Sequence, residues 1–210
     1  LTHAHFGHVD GLGLFGKETM ASRDIDLHVS DEMFHLIEET PQWAIMLKQG
    51  VFRDSVFQNG QHIYINGQLS ITPIKVPHRD ELSDMHAFLI CGPKKRLLFL
   101  PDHDSWQQTL EFHHQPDIRS WLSYLQVDIA LLDGTFWSMD ELGGRSQEHV
   151  PHPPVKQTLQ MLGERKVGDP EIIFIHLNHT NPLYDESSPA YEEVISNGWQ
   201  VGVQGQTFIL

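Results

Sequence analysis

Short apolar runs recur along the chain, each closed by Gly, Pro, Asn or Asp, and their spacing predicts alternating strands and helices. Leu1-Thr2 reads as the end of a strand that feeds a loop, His3–Asp10, and Gly11–Ala21 reads as a helix. Asp26–Ser30 has the pattern of a short strand, Asp31 caps a helix through Glu39, and Pro41–Gln49 forms a further helix. Val51–Gln58, Gln61–Ile65 and Gln68–Val76 are strands separated by Asn59-Gly60 and Asn66-Gly67, dipeptides that favour hairpin turns. Met85–Cys91 and Arg96–Leu100 are strands around Gly92-Pro93, Pro116–Leu125 is helical, and Val127–Leu132 is an apolar strand ending at Asp133. Pro153–Arg165 is an amphipathic helix with Pro in its first turn, and Glu171–Ile175 is a buried strand ending at His176. Ser188–Asn197 is a helix stopped by Gly198, and Trp199–Val203 and Thr207–Leu210 close the chain as strands.

No repeat, low-complexity tract or linker interrupts this rhythm, so the 210 residues are expected to form one domain, residues 1–210. A hydrophobic fraction of 40% is enough for a core. Lys plus Arg is 14 against 28 for Asp plus Glu, a net charge of −14, which repels phosphate backbones and anionic membrane surfaces. No nucleic-acid or membrane partner is therefore expected, and no apolar run approaches the ~20 residues of a spanning helix. Cys91 is the single cysteine, which fits a reducing compartment and a cytoplasmic location. The chain starts at Leu1 with a polar loop already at residue 3, which leads us to expect an upstream segment carrying further strands.

The 15 histidines change the picture because of where they fall. His3, His78, Asp102, Asp133 and His176 each lie just past an apolar run. Strand ends are where a rigid sheet can bring polar side chains from distant positions to one point. In Thr2-His3-Ala4-His5-Phe6-Gly7-His8, the histidines at i and i+2 can share one metal ion and the one at i+5 can point to a neighbouring position. Further ligands must come from other strands, and His78, Asp102 and His176 are placed to supply them. Imidazole with carboxylate suits zinc and also iron or manganese.

The order His-x-His-x-x-His-x-x-Gly, then a lone His, a lone Asp and a strand-end His, resembles the metallo-β-lactamase superfamily over essentially the whole chain. That resemblance implies an αβ/βα four-layer sandwich, here lacking its N-terminal strands. It implies a first metal held by His3, His5 and His78, a second held by His8 and His176, and Asp102 bridging both. One position departs from it: the family writes an Asp where this chain has Gly7, which removes a ligand of the second ion, so one or two ions per chain are expected. Within the superfamily the chain is similar to the pyrroloquinoline quinone biosynthesis B proteins, through Val76-Pro77-His78-Arg79-Asp80-Glu81, Asp133-Gly134-Thr135-Phe136 and His176-Leu177-Asn178-His179-Thr180-Asn181-Pro182.

Other residues carry paired readings. His152 is either an acid on the substrate side or a loop histidine, and Asp104 is the nearest sequence candidate for the base lost at Gly7. His179 is an alternative ligand to His176 or its hydrogen-bonding partner, and Asp133 either orients a ligand histidine or caps its turn. Specificity is expected from Gln42–Asp54 and Ser138–Pro154. These readings together make the protein a metallo-hydrolase acting on an ester-like or phosphodiester-like bond of a small molecule or peptide. An iron-dependent oxidation in quinone-cofactor synthesis and a non-catalytic binding protein are the alternatives.

Overall fold

A computed structural model describes residues 1–143 and 149–210. Its strands are β1 (Ile25–Val29), β2 (Phe52–Val56), β3 (Ile63–Tyr64), β4 (Ser70–Val76), β5 (Met85–Cys91), β6 (Arg96–Leu100), β7 (Ile129–Asp133), β8 (Glu171–Ile175) and β9 (Gln200–Val201). Its helices are α1 (Phe6–Val9), α2 (Asp31–Glu39), α3 (Pro41–Lys48), α4 (Trp106–Phe112), α5 (Ile118–Tyr124), α6 (Val155–Leu162) and α7 (Pro189–Ser196). Strands β3 to β9 form a seven-stranded sheet in chain order, antiparallel from β3 to β6 and parallel from β6 to β9. The second sheet contains, among the described residues, the parallel pair β1–β2.

Alternation along the strands sorts the core into faces. Leu98 and Leu100 of β6 join Leu132, Phe174, Trp106, Trp121 and Trp199 beneath the helices, whereas Leu97, Ile129 and Ile173 point the other way and meet Phe208 and Leu210. A separate cluster packs Ala4, Val9 and Leu12 against Val29, Met33, Ile37 and Phe52. The chain start ties the two parts together. The Leu1 amine donates to the His28 carbonyl (2.7 Å), and the His86 amide donates to the Thr2 carbonyl (3.0 Å).

This topology positions the site. Strand β4 is antiparallel to β5 and β5 to β6, so β4 runs in the same direction as β6, β7 and β8. The carboxyl ends of all four therefore share one edge, and His78, Asp102, Asp133 and His176 follow or close them there.

Several expected elements differ. Gly11–Ala21 forms a 3-10 segment over Asp10–Phe15 followed by turns, because Gly11, Gly13 and Gly16 weaken a continuous helix. Ser30, not Asp31, caps α2, its hydroxyl accepting from the Met33 amide (3.2 Å). The Asn66-Gly67 turn joins paired strands, but Asn59-Gly60 does not, because β2 pairs with β1 rather than β3. Residues Thr207–Leu210 make no ladder, and the tail instead crosses Gly92, where an added Cβ would meet Leu210 at 2.5 Å. Helix α4, capped by the Ser105 hydroxyl, was not foreseen. The expected specificity segment Gln42–Asp54 consists largely of α3 and the start of β2, and residues 144–148 of the other segment lie outside the described residues.

Candidate metal centre

The first histidine motif folds as a turn rather than a strand. The His8 amide donates to the His5 carbonyl (2.8 Å), closing α1 and swinging the His8 ring to 4.3 Å from the His3 ring. Thr2 holds both rings from behind, its hydroxyl 3.1 Å from His3 Nδ1 and 3.4 Å from His8 Nδ1. Their Nε2 atoms then face Asp102 Oδ2, at 3.3 Å for His3 and 2.9 Å for His8. His78 is oriented in the same manner: Asp104 Oδ1 lies 3.2 Å from its Nδ1, and its Nε2 faces His5 Nδ1 at 3.2 Å. His5 Nδ1 is also 2.8 Å from His3 Nε2, and its outer nitrogen looks toward Glu81 at 3.5 Å. Metal-binding imidazoles are commonly fixed in this way, through the nitrogen that does not take the ion.

At the far side of Asp102, His176 Nδ1 lies 3.3 Å from Asp102 Oδ1 and 2.8 Å from the Thr135 hydroxyl, with its Nε2 3.1 Å from His8 Nε2. His176 carries a φ of 62°, a strained backbone conformation for a histidine, and such strain persists where surrounding structure enforces it. Gly134 provides that surrounding: its amide donates to the Ile175 carbonyl (2.8 Å), and a Cβ there would sit 2.7 Å from the same oxygen. Asp133 receives the Thr135 amide and hydroxyl on Oδ1 and lies 2.7 Å from His152 Nδ1 through Oδ2.

The ligand atoms fall into groups that could each hold an ion: His3, His5 and His78; His3, His8 and Asp102; and Asp102, Asp133, His152 and His176. Within each group the atoms lie within 4.8 Å of one another. Two ligands about 2.1 Å from a tetrahedral ion stand about 3.4 Å apart, so the observed separations suit a shared ion. Asp102 is 1% exposed, yet neither of its oxygens has a hydrogen-bond partner among the described residues. The imidazoles reach those oxygens at ion-pair distance without hydrogen-bond geometry, leaving a buried carboxylate that a cation would satisfy.

Protonation favours the same reading. Burial, joined by His8, His5 and His78 and opposed by Asp102, pushes His3 down to about 2. Burial also lowers His176, and burial with Arg79 and His78 lowers His5. Burial acts to raise Asp102, but the close His8 contact and the imidazoles of His176, His8 and His152 outweigh it and hold the carboxyl below its ordinary range. Neutral imidazole and ionised carboxylate are the forms that bind metal. His152 differs: burial opposes its charge, but Asp133 and then Asp102 hold it above its ordinary value.

The structure therefore brings together His3, His5, His8, His78, Asp102 and His176, with His152 and Asp133 beside them, whereas exposed His179 belongs to none of the ligand groups. Asp104 sits behind His78. Sequence reasoning passed over Thr135, although its place two residues after a strand-end Asp was a usable signal, and over Arg79, whose guanidinium Nη2 lies 3.2 Å from His5 Nδ1. His103, in the loop that follows Asp102, is fully buried on the Thr109 hydroxyl (2.8 Å) and pushed by burial to about 4.

Comparison with known proteins shows what this chain is similar to in sequence and fold. The chain is 27% identical to coenzyme PQQ synthesis protein B of Xanthomonas oryzae pv. oryzae over 225 aligned positions, covering 98% of this chain and 70% of that protein. Its fold matches the zinc-bound PqqB of Methylobacterium extorquens with a TM-score of 0.75 at 20% identity, covering all of this chain (100%) and 72% of the other. It also matches the metallo-beta-lactamase fold protein YhfI of Bacillus subtilis with a TM-score of 0.62 at 16% identity, over 99% of this chain and 74% of that one. The model of the beta-lactamase superfamily domain matches residues 1–177, and the chain belongs to that family.

Proposed function

We propose that this protein is a metal-dependent hydrolase that cleaves an ester-like or phosphodiester-like bond in a small molecule or peptide. The observation that carries this reading is the buried Asp102 carboxylate, ringed by imidazoles at ion-pair distance and without a hydrogen-bond partner among the described residues. His3, His5, His78 and Asp102 would hold the first ion, and His8 and His176 would hold a second with Asp102 between them. Zinc is the ion proposed, and the same donors accept iron or manganese. A divalent ion there supplies Lewis acidity and a water that loses its proton near neutral pH.

The chain's own residues supply the rest. Asp133 ties His152 through Nδ1, which leaves the other ring nitrogen to give a proton to a leaving oxygen. His152 lines a cavity of about 550 Å³ together with Asp104, Ser138 and Lys156, and this cavity is proposed to receive the substrate. Thr135 keeps the His152 and His176 rings in place from 3.2 and 2.8 Å. Asp104 is proposed to orient His78 instead of replacing the base lost at Gly7.

The test is hydrolysis of bis-p-nitrophenyl phosphate and p-nitrophenyl acetate by zinc- or manganese-loaded protein. His78→Ala should abolish turnover, and His152→Ala should lower it by about 10²–10⁴-fold with metal content kept. Similarity to the PQQ synthesis B proteins supports a second reading, an iron-dependent oxidation in quinone-cofactor synthesis. Oxygen uptake with ferrous iron and a tyrosine-containing peptide, abolished by His78→Ala and accompanied by no ester cleavage, would make that reading the leading one.

A further inference from the structure

Arg79 follows the ligand His78, and its position beside the metal cluster is unusual for a cation. Its amide donates to Asp104 Oδ1 (3.2 Å), so the carboxylate behind His78 also anchors the Arg79 backbone. Its Nη1 donates to the His149 carbonyl (3.2 Å), while its buried Nε has no hydrogen-bond partner among the described residues. Its Nη2 lies 3.2 Å from His5 Nδ1.

That last contact conflicts with metal binding. His5 Nδ1 is the nitrogen that faces His3 Nε2 at 2.8 Å and His78 Nε2 at 3.2 Å, so it is the atom that would take the ion. A ring nitrogen has one lone pair and cannot accept from a guanidinium while it binds a metal. With an ion present, an N–H of Arg79 beside the cluster has no acceptor among the described residues, and two positive centres stand a few ångströms apart. Glu81 does not resolve this. It is about half exposed (52%), lies 3.7 Å from Nη1, and approaches the outer nitrogen of His5 rather than the cluster-facing one. The cavity of about 330 Å³ that Arg79 lines with His78 also holds Asp84 and Asp104, but these already face Lys75 (3.5 Å) and His78 (3.2 Å). An anionic oxygen arriving from outside fits between the ion and the guanidinium fork.

We propose that Arg79 is the anion-binding residue of this site, and that the substrate carries a carboxylate or phosphate oxygen held between Arg79 and the metal cluster. The proposal rests on the metallo-hydrolase reading. The test uses the full chain loaded with zinc, with its zinc content measured, titrated calorimetrically with inorganic phosphate and, separately, acetate. Arg79→Gln should weaken at least one of the two anions by about tenfold or more, as expected for losing a charge-assisted pair. Arg79→Lys should recover part of the affinity, because it keeps the charge and loses the fork. Zinc affinity in Arg79→Gln should be unchanged or higher, since a neighbouring positive charge is gone; a residue needed only for structure would not weaken the anion while sparing the metal. Loss confined to phosphate or to acetate supports the proposal and assigns the substrate's anion. Full zinc occupancy with equal affinity for both anions in wild type and Arg79→Gln would overturn the Arg79 assignment alone. A wild-type protein that takes up no zinc would overturn the metallo-hydrolase reading and this inference with it.

Discussion

Gly7→Asp restores the carboxylate that the resemblance places beside the second metal position, and the structure says what it should cost. Gly7 lies in α1 with no positive φ, and an added Cβ meets nothing within 4 Å. The backbone therefore does not require glycine. Replacing a helical Gly by Asp gains a few tenths of a kcal/mol in propensity, partly offset by like charge near Asp102. For a chain of this size a few tenths of a kcal/mol moves the melting temperature by no more than about 2 °C. The effect on metal should be larger. Without that carboxylate the second position draws on His8, Asp102 and His176, with His8 Nε2 2.9 Å from Asp102 Oδ2 and 3.1 Å from His176 Nε2. Completing a fourth protein ligand should tighten the second ion by about tenfold or more, equivalent to about 1.4 kcal/mol. Equilibrium dialysis against buffered zinc, followed by elemental analysis, reads this as a rise in stoichiometry at fixed free zinc. An unchanged stoichiometry in a protein of unchanged melting temperature would refute the reasoning, because it would show that Gly7 does not face the second position.

Two further outcomes follow from contacts around the cluster. Gly134→Ala should destabilise the fold by about 1–3 kcal/mol, because its Cβ would sit 2.7 Å from the Ile175 carbonyl oxygen; a thermal melt indistinguishable from wild type would contradict this. Asp133→Asn should remove a pH-dependent part of the stability of the metal-free protein. Against burial, Asp133 raises the His152 pKa above its ordinary 6.5, so the folded state binds that proton more tightly than the unfolded chain. The contribution is present in full below the unfolded value and is lost as pH rises through the raised folded value. Denaturant titrations should therefore show the wild-type advantage over Asp133→Asn largest below the ordinary histidine value of 6.5 and shrinking as pH rises above it, and a pH-independent gap would refute the pairing.

Much of this arrangement could be read before the structure, and the reason is local. His78, Asp102 and His176 each end an apolar run, and strands β4, β6 and β8 do carry them to one edge of the sheet. The alternation that sends Leu98 and Leu100 to one face and Leu97 to the other is likewise a short-range property. What could not be read depends on long-range pairing. Nothing near Val51–Gln58 indicates that β2 would add to β1 rather than turn back through Asn59-Gly60. Arg79 touches His5 only because the loops after β4 and before α1 meet, and Thr135 reaches His176 only because β7 and β8 are neighbours. His103, adjacent to Asp102 in sequence, turns inward because Thr109 on α4 offers its hydroxyl, and that helix was itself unforeseen.

The claim that underlies the whole account is that His3, His5, His78 and Asp102 bind a transition metal. Its most direct test is the metal content, by elemental analysis, of the protein and its His78→Ala variant after expression in metal-supplemented medium and dialysis. At least about one equivalent of zinc, iron or manganese is expected in the first and a large loss in the second. Less than about a tenth of an equivalent of any transition metal in the unmutated protein would contradict it.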